Sequence, residues 1–284
     1  MKRKHVLSIT ACIACLIFTF SCRDRVKTDT DTVGFDTLQV STIYHQHDNT
    51  ELPACNLQIV FVYPNEYDNA DDLKNLQSLF IKKVLDASLA SLSPQNALEV
   101  YTKQYFRDFN ESTWEEDSEN SEEDIVGMED ESGYLFYLTL SDQIIYNKNN
   151  FLSFLVEKHT YEGGAHGSKS INGYVIDLNT GKLLTEDTFS GVNYHRNLSA
   201  LIAKKLADKN GISNPSELEN IGYINISDIA PNNNFTLDDK GITYYFNEYE
   251  IGAYFLGVTE IFIPYEELNV YIAPDSPISS LTGF

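Results

Sequence analysis

Tyr134-Leu-Phe-Tyr-Leu-Thr-Leu140, Gln143-Ile-Ile-Tyr146 and Phe151-Leu-Ser-Phe-Leu-Val-Glu-Lys-His-Thr-Tyr161 follow one another with no helical period between them. Aromatic and β-branched residues recur in each, as they do on a pleated surface. Gly173-Tyr-Val-Ile-Asp177 makes another strand before the turn Asn179-Thr180-Gly181-Lys182. Strands in a block, rather than in strict alternation with helices, indicate an α+β fold with mostly antiparallel sheets.

The flanking segments supply the helices. Upstream, Leu57 to Tyr63 reads as a strand. Asp71 to Leu92 then carries Leu73, Leu76, Leu79, Phe80, Val84, Leu85 and Leu89 at the spacing of one helical face. Ser93-Pro94 breaks that helix and opens a second one reaching Asn110, with Pro94 suited to a first turn. Downstream, His195 to Lys209 is amphipathic and stops at Asn210-Gly211. Strands follow at Phe235–Leu237, Gly241–Phe246 and Thr259–Ile263, and Pro264 to Leu268 starts a last short helix. These segments predict two small subdomains, 52–180 and 181–284, each with helices packed on a mostly antiparallel sheet.

The first residues carry a different message. Met-Lys-Arg-Lys-His precedes an uncharged, mostly apolar run from Val6 to Phe20, which ends at Ser21-Cys22 and meets Arg23-Asp24-Arg25. A cationic start and roughly fifteen apolar residues suit a secretion signal, whereas a permanent spanning helix needs about 20. Thr19-Phe20-Ser21-Cys22 resembles a lipobox, although Phe20 is bulkier than usual there. The expected product is an exported lipoprotein, anchored in the bacterial cell envelope through acylated Cys22, with residues 1–21 removed. Residues 22–51, polar and rich in Thr and Asp, read as a flexible tether. Asp31-Thr32-Val33 and Asp36-Thr37-Leu38 within it are similar to O-glycosylation sites of some exported proteins.

Composition narrows the partners. The chain has 20 Lys+Arg against 42 Asp+Glu, a net charge of −22; loss of Lys2, Arg3 and Lys4 with the signal takes it to −25. That field opposes nucleic acid and anionic membrane surfaces and favours cationic partners. Glu111 to Glu131 holds eleven carboxylates and no Lys or Arg, but lacks the order of a calcium loop, so it reads as a solvated acidic insert. Cys55 is the one cysteine left beyond Cys22. It excludes an internal disulfide in the mature chain and reads as a small buried hydrophobe.

The densest local signal is Tyr161-Glu162-Gly163-Gly164-Ala165-His166-Gly167. Three glycines in five positions permit positive φ and expose backbone amides. His166 there is a candidate ligand, base or hydrogen-bonding plug. No His-Glu-x-x-His, Gly-x-Ser-x-Gly, Ser-x-x-Lys or phosphate-cradling Gly-x-x-x-x-Gly-Lys pattern accompanies it.

That turn, together with Gly173–Lys182, Asp187-Thr-Phe189, the tail Tyr245-Phe246-Asn-Glu-Tyr249-Glu-Ile-Gly-Ala-Tyr254 and Glu260–Leu268, resembles a PdaC-type domain followed by an RsiV-type C-terminal domain. The likeness spans about Leu52 to Leu268. Such pairs occur in lysozyme-sensing anti-sigma factors, beside a peptidoglycan deacetylase domain, and as free-standing lipoproteins. This chain lacks the cytosolic segment of the first and the catalytic domain of the second. The resemblance therefore implies a non-catalytic recognition module for a cell-wall glycan or a cationic protein such as lysozyme, with no cofactor and no metal. Candidate ligand-binding residues are Tyr161, Glu162, Gly163, Gly164, His166, Tyr245, Tyr249 and Tyr254. Two rivals stay open: an envelope hydrolase using His166 with a carboxylate such as Glu162 and a divalent metal, and a purely structural envelope component.

Mass spectrometry of the native protein tests the N-terminal reading. A mature chain beginning at diacylated Cys22 is expected; an unmodified N-terminus, or another start, refutes it.

Overall fold

A computed structural model describes residues 32–50, 52–111, 136–163, 165–189, 194–224, 226 and 229–282. The signal segment, Cys22, the first ten tether residues, Gly164 and nearly all of the acidic insert lie outside the described residues.

Six strands form one sheet in sequential order: β1 (Gly34–His45), β2 (Ala54–Glu66), β3 (Phe136–Lys148), β4 (Phe151–Tyr161), β5 (Ser168–Asp177) and β6 (Lys182–Leu183). All neighbours are antiparallel except β2 and β3, which run parallel with Cys55 opposite Phe136. A parallel pair needs a crossover, and here it carries α1 (Ala70–Phe80) and α2 (Pro94–Glu111). A second, three-stranded antiparallel sheet holds β7 (Phe235–Leu237), β8 (Gly241–Phe246) and β9 (Thr259–Pro264). Around it lie α3 (Glu186–Phe189), α4 (Tyr194–Lys209) and α5 (Tyr265–Leu268). The α+β architecture with two subdomains is thus the observed one.

Two segments differ from their sequence reading. The tether assigned to residues 22–51 is corrected at Gly34–His45, an edge strand paired with β2 along its length. Only Leu38 and Val40 of this strand are deeply buried, so its alternation is too dilute to stand out as an apolar run. Thr37 of the second glycosylation-like motif lies half-buried within it. The helix expected over Asp71–Leu92 is interrupted. After α1 it becomes a π turn (Ile81–Leu85), and Asp86 adopts an extended backbone to cap a 3-10 turn at Ala87–Leu89, accepting from Ser88 N at 2.7 Å. A short acceptor that bonds nearby amides competes with helix continuation in this way.

Each face of the large sheet meets a different layer. Leu57, Ile59, Phe61, Leu138 and Phe154 pack on Leu76, Phe80 and Leu98 of the crossover helices, with the Phe80 and Phe154 rings stacked at 4.1 Å. On the opposite face, Tyr146, Phe151 and Val175 join the core of the second subdomain against Phe235, Leu198 and Ile202. Gly173 lets β5 approach β7, since a Cβ there would sit 2.5 Å from the Phe235 carbonyl carbon. Buried Ser153 Oγ accepts from Leu237 N at 3.0 Å across the same contact. Cys55 is fully buried and unpaired, and burial pushes its thiol up to about 11.

Side chains from the second subdomain finish the free edge of β5. Lys169 N donates to Glu248 Oε2 (3.1 Å), Ile171 N to Asn247 Oδ1 (2.7 Å) and Gly173 N to Asn234 Oδ1 (2.7 Å), while Asn234 Nδ2 returns a bond to Ile171 O (2.9 Å). The neighbouring asparagines fasten the same loop: Asn232 Nδ2 donates to Tyr245 O, and Asn233 exchanges two bonds with Glu186.

Where β2 and β3 part beyond the Val60–Ser141 pair, Asp142 Oδ1 accepts from Val62 N at 2.8 Å. Its other oxygen is buried with no hydrogen-bond partner among the described residues. Burial pushes this carboxyl up to about 8. Because the folded form keeps a proton that an unfolded Asp releases near pH 4, stability falls as pH rises from about 4 to 8, by at most about 1.4 kcal/mol per unit. Urea midpoints of wild type and Asp142→Asn are therefore expected to diverge over that interval in favour of the variant. Parallel profiles would contradict the assignment.

Candidate functional site

The glycine-rich turn joins β4 to β5 at one end of the large sheet. Gly163 takes φ 89°, a value that favours glycine. Gly167 is required by proximity: a Cβ there would lie 2.7 Å from the Tyr137 hydroxyl and 3.0 Å from Thr160 O. Between them His166 is exposed.

Opposite the turn stands the loop after β8. Asn247 and Glu248 are the residues that cap Ile171 and Lys169, so the backbone preceding Tyr249 is tied to β5 at two points. Glu250 Oε2 accepts from Asn247 N at 2.8 Å and closes the loop on itself. Tyr249 is left with φ 65° and 59% exposure, its hydroxyl 3.1 Å from His166 Nε2. Tyr254 lies with its ring stacked on the His166 imidazole at 3.8 Å and 21°, and its hydroxyl donates to Gly167 O at 2.9 Å. Tyr249 and Tyr254 rings are 5.8 Å apart and 30° from parallel. Three rings from two distant segments thus pile into one stacked aromatic pad at the surface.

Hydrogen bonding fixes the imidazole. His166 Nδ1 is 3.0 Å from the Gly167 carbonyl, which can only accept, so Nδ1 carries the proton. In the neutral ring Nε2 is then the acceptor for the Tyr249 O–H. Among the described residues neither nitrogen bonds a carboxylate.

The remaining expected residues fall in different places. Tyr161 is half-buried, its ring near those of Tyr137 (6.1 Å, 26°) and Phe136 (6.3 Å, 19°), so it adjoins the pad from the sheet side. Glu162 is exposed and acts electrostatically on Tyr101 and Tyr105 of α2, where it helps to raise both phenols after burial, the larger cause. It makes no hydrogen bond to His166 among those described, so the His166–Glu162 pair is not assembled. The assignment of Tyr245 to the site is corrected: it is 5% exposed, and its hydroxyl bonds Thr236 Oγ1 at 2.9 Å inside the second subdomain. Strand β8 is covered on both faces, which a tyrosine-rich sequence does not reveal.

Several contributors went unrecognised in the sequence. Tyr137, Asn247 and Glu248 position the pad. A charged cluster on the sheet also emerges, in which Glu157 Oε1 meets His159 Nε2 and Lys169 Nζ, each at 2.7 Å. The His159 and Lys169 bonds, in that order, hold the Glu157 carboxyl below its ordinary range. The i, i+2 spacing of Glu157 and His159 on one strand was the available signal. Among the described residues no three His, Cys, Asp or Glu side chains converge as a metal site.

Residues 66–169 match the family described as Deacetylase PdaC, and residues 183–266 match Protein of unknown function (DUF3298). A DUF3298 family member from Bacteroides fragilis has a similar crystal structure, with 28% identity and TM-score 0.77 over 90% of this chain and 99% of that one. A DUF3298 family protein from Pseudomonas aeruginosa shares the fold at 15% identity and TM-score 0.56, covering 86% and 96% of the two chains. No curated protein matches the chain.

Asn247→Ala is expected to strand the amide of Ile171, itself 6% exposed, and to lower stability by about 1–3 kcal/mol. Urea unfolding measures this; a loss below about 0.5 kcal/mol would show that water replaces the cap.

Proposed function

We propose that this chain is a non-catalytic, lipid-anchored envelope protein that recognises an extracytoplasmic ligand on the His166–Tyr249–Tyr254 pad, with a cell-wall glycan as the preferred ligand. The observation that carries the reading is the state of His166. Both nitrogens are occupied by uncharged partners and the ring is stacked flat, which suits a fixed contact surface. A general base in a hydrolase needs an available lone pair and an orienting partner. The pad offers an aromatic face to the apolar side of a sugar ring, with phenol oxygens at its rim to accept hydrogen bonds. The likeness to PdaC and to free-standing RsiV-type lipoproteins supports an envelope setting, and the apolar run ending at Cys22 supports the anchor.

A second reading, a basic protein of the lysozyme type, rests on the net charge of −22. Charge attraction of that kind weakens as salt shortens the screening length.

Titration calorimetry of the chain separates these. Oligomers of β-1,4-linked N-acetylglucosamine are expected to give one saturable site, weakened about tenfold or more by Tyr249→Ala, as loss of a central aromatic contact does. A basic lysozyme is titrated at about 50 and about 300 mM salt, where the Debye length falls to roughly 5–6 Å. A saturable lysozyme site that survives the higher salt, with no response to the oligomers, would transfer the assignment to the second reading. His166→Ala tests the structural rival, because unfolding without a separable binding defect would assign the turn to the fold alone.

A further inference from the structure

We infer that the site does not end at the pad: the uncovered half of the large sheet's outer face is its floor, and it receives a linear, uncharged, hydroxyl-rich chain. The inference rests on the glycan reading above and extends it to surface outside the conspicuous motifs.

The strand registers place side chains in rows across the sheet. One row runs Ser41, Gln58, Thr139, His159, Lys169 through β1 to β5, each residue paired with the next. A second row runs Ile43, Asn56, Tyr137, Tyr161. These residues lie on the face opposite the crossover helices, and all are exposed or half-buried. The second subdomain covers only the far half of this face, through Tyr146, Phe151 and Val175. Among the described residues the near half is left as a shelf, edged at β5 by Asn247 and Glu248 with Tyr249 next in the chain. At about 4.8 Å between strands, the five-residue row is about 19 Å long, the scale of an extended chain rather than of one small molecule.

Chemistry selects the occupant. Ser41, Gln58, Thr139 and Asn56 each offer both donors and acceptors, as a polyhydroxylated ligand requires. The one charged cluster satisfies itself, because Glu157 bonds both His159 and Lys169, and the two rows contain no carboxylate and no ammonium beyond Lys169. A polyanion would meet the repulsion of a chain at −22. An apolar partner would bury the Asn56 and Gln58 amides with only the long Gln58 Nε2–Asn56 Oδ1 bond (3.4 Å) between them. Continuity with the pad is direct: the Tyr137 hydroxyl lies against Gly167, whose carbonyl accepts from both Tyr254 and His166.

The test uses the full chain in detergent and β-1,4-linked N-acetylglucosamine oligomers of increasing length, from the disaccharide to the hexasaccharide. Wild-type affinity should rise with oligomer length. Asn56→Ala/Gln58→Ala should keep disaccharide affinity and lose roughly tenfold on the longest oligomer, flattening the dependence. Tyr249→Ala should weaken every length. The single Gln58→Ala, at an exposed position, serves if the double variant fails to fold. Hexasaccharide binding unchanged by the floor variants, with Tyr249→Ala still impaired, overturns the floor and leaves the pad reading intact. No binding of any oligomer overturns the glycan reading and the floor with it.

Discussion

A sheet edge must satisfy its outward amides or leave them to water, and an exposed edge invites pairing with another chain. Strand β5 meets this constraint without another strand along most of its length. Side-chain oxygens of Glu248, Asn247 and Asn234 take its alternate amides, spaced as a strand's carbonyls would be. The second subdomain can therefore sit across the sheet instead of extending it. Gly173 makes the close approach possible and Ser153 adds a buried bond beneath it. Remove those caps and the two layers lose the polar contacts that fix their relative position; the apolar core between them constrains orientation far less, because burial is non-directional.

The same contacts build the aromatic surface. Asn247 and Glu248 directly precede Tyr249, so the residues that close the β5 edge also aim the ring. The fold thereby brings together His166 and Tyr249, which are far apart in sequence, on a turn and a loop that both meet β5. A binding surface organised before the ligand arrives loses less conformational freedom on association.

Much of this was legible in the residues. The helices α2 and α4 announced themselves by periodicity and by Pro94 and Asn210-Gly211, and β7 and β8 by composition. Strand β1 was hidden because an edge strand buries little, and Thr, Ser and Gln on its open face dilute the pattern. The break at Asp86 was hidden because the helical apolar spacing continues through it. Of the candidate ligand-binding residues, His166, Tyr249 and Tyr254 come together in space, whereas Tyr245 was drawn in by its place in a tyrosine-rich tail. Burial of a central strand on both faces is a property of the assembled layers. The caps were invisible for a related reason: Asn234 and Asn247 look like loop asparagines until the strand they complete is in place.

The parallel seam between β2 and β3 bears on how the chain reaches this state. β1 with β2, and β3 with β4 and β5, are antiparallel units joined by short connections, and such contacts form rapidly because little chain must be ordered to close them. The seam joins residues separated by both crossover helices, so its closure carries the largest loop entropy in the first subdomain. Asp142 and Val62 sit at the end of that seam, joined by the bond that takes over where the two backbones part. A meander and a hairpin await one another, and a single row of parallel hydrogen bonds marks the moment the large sheet becomes whole.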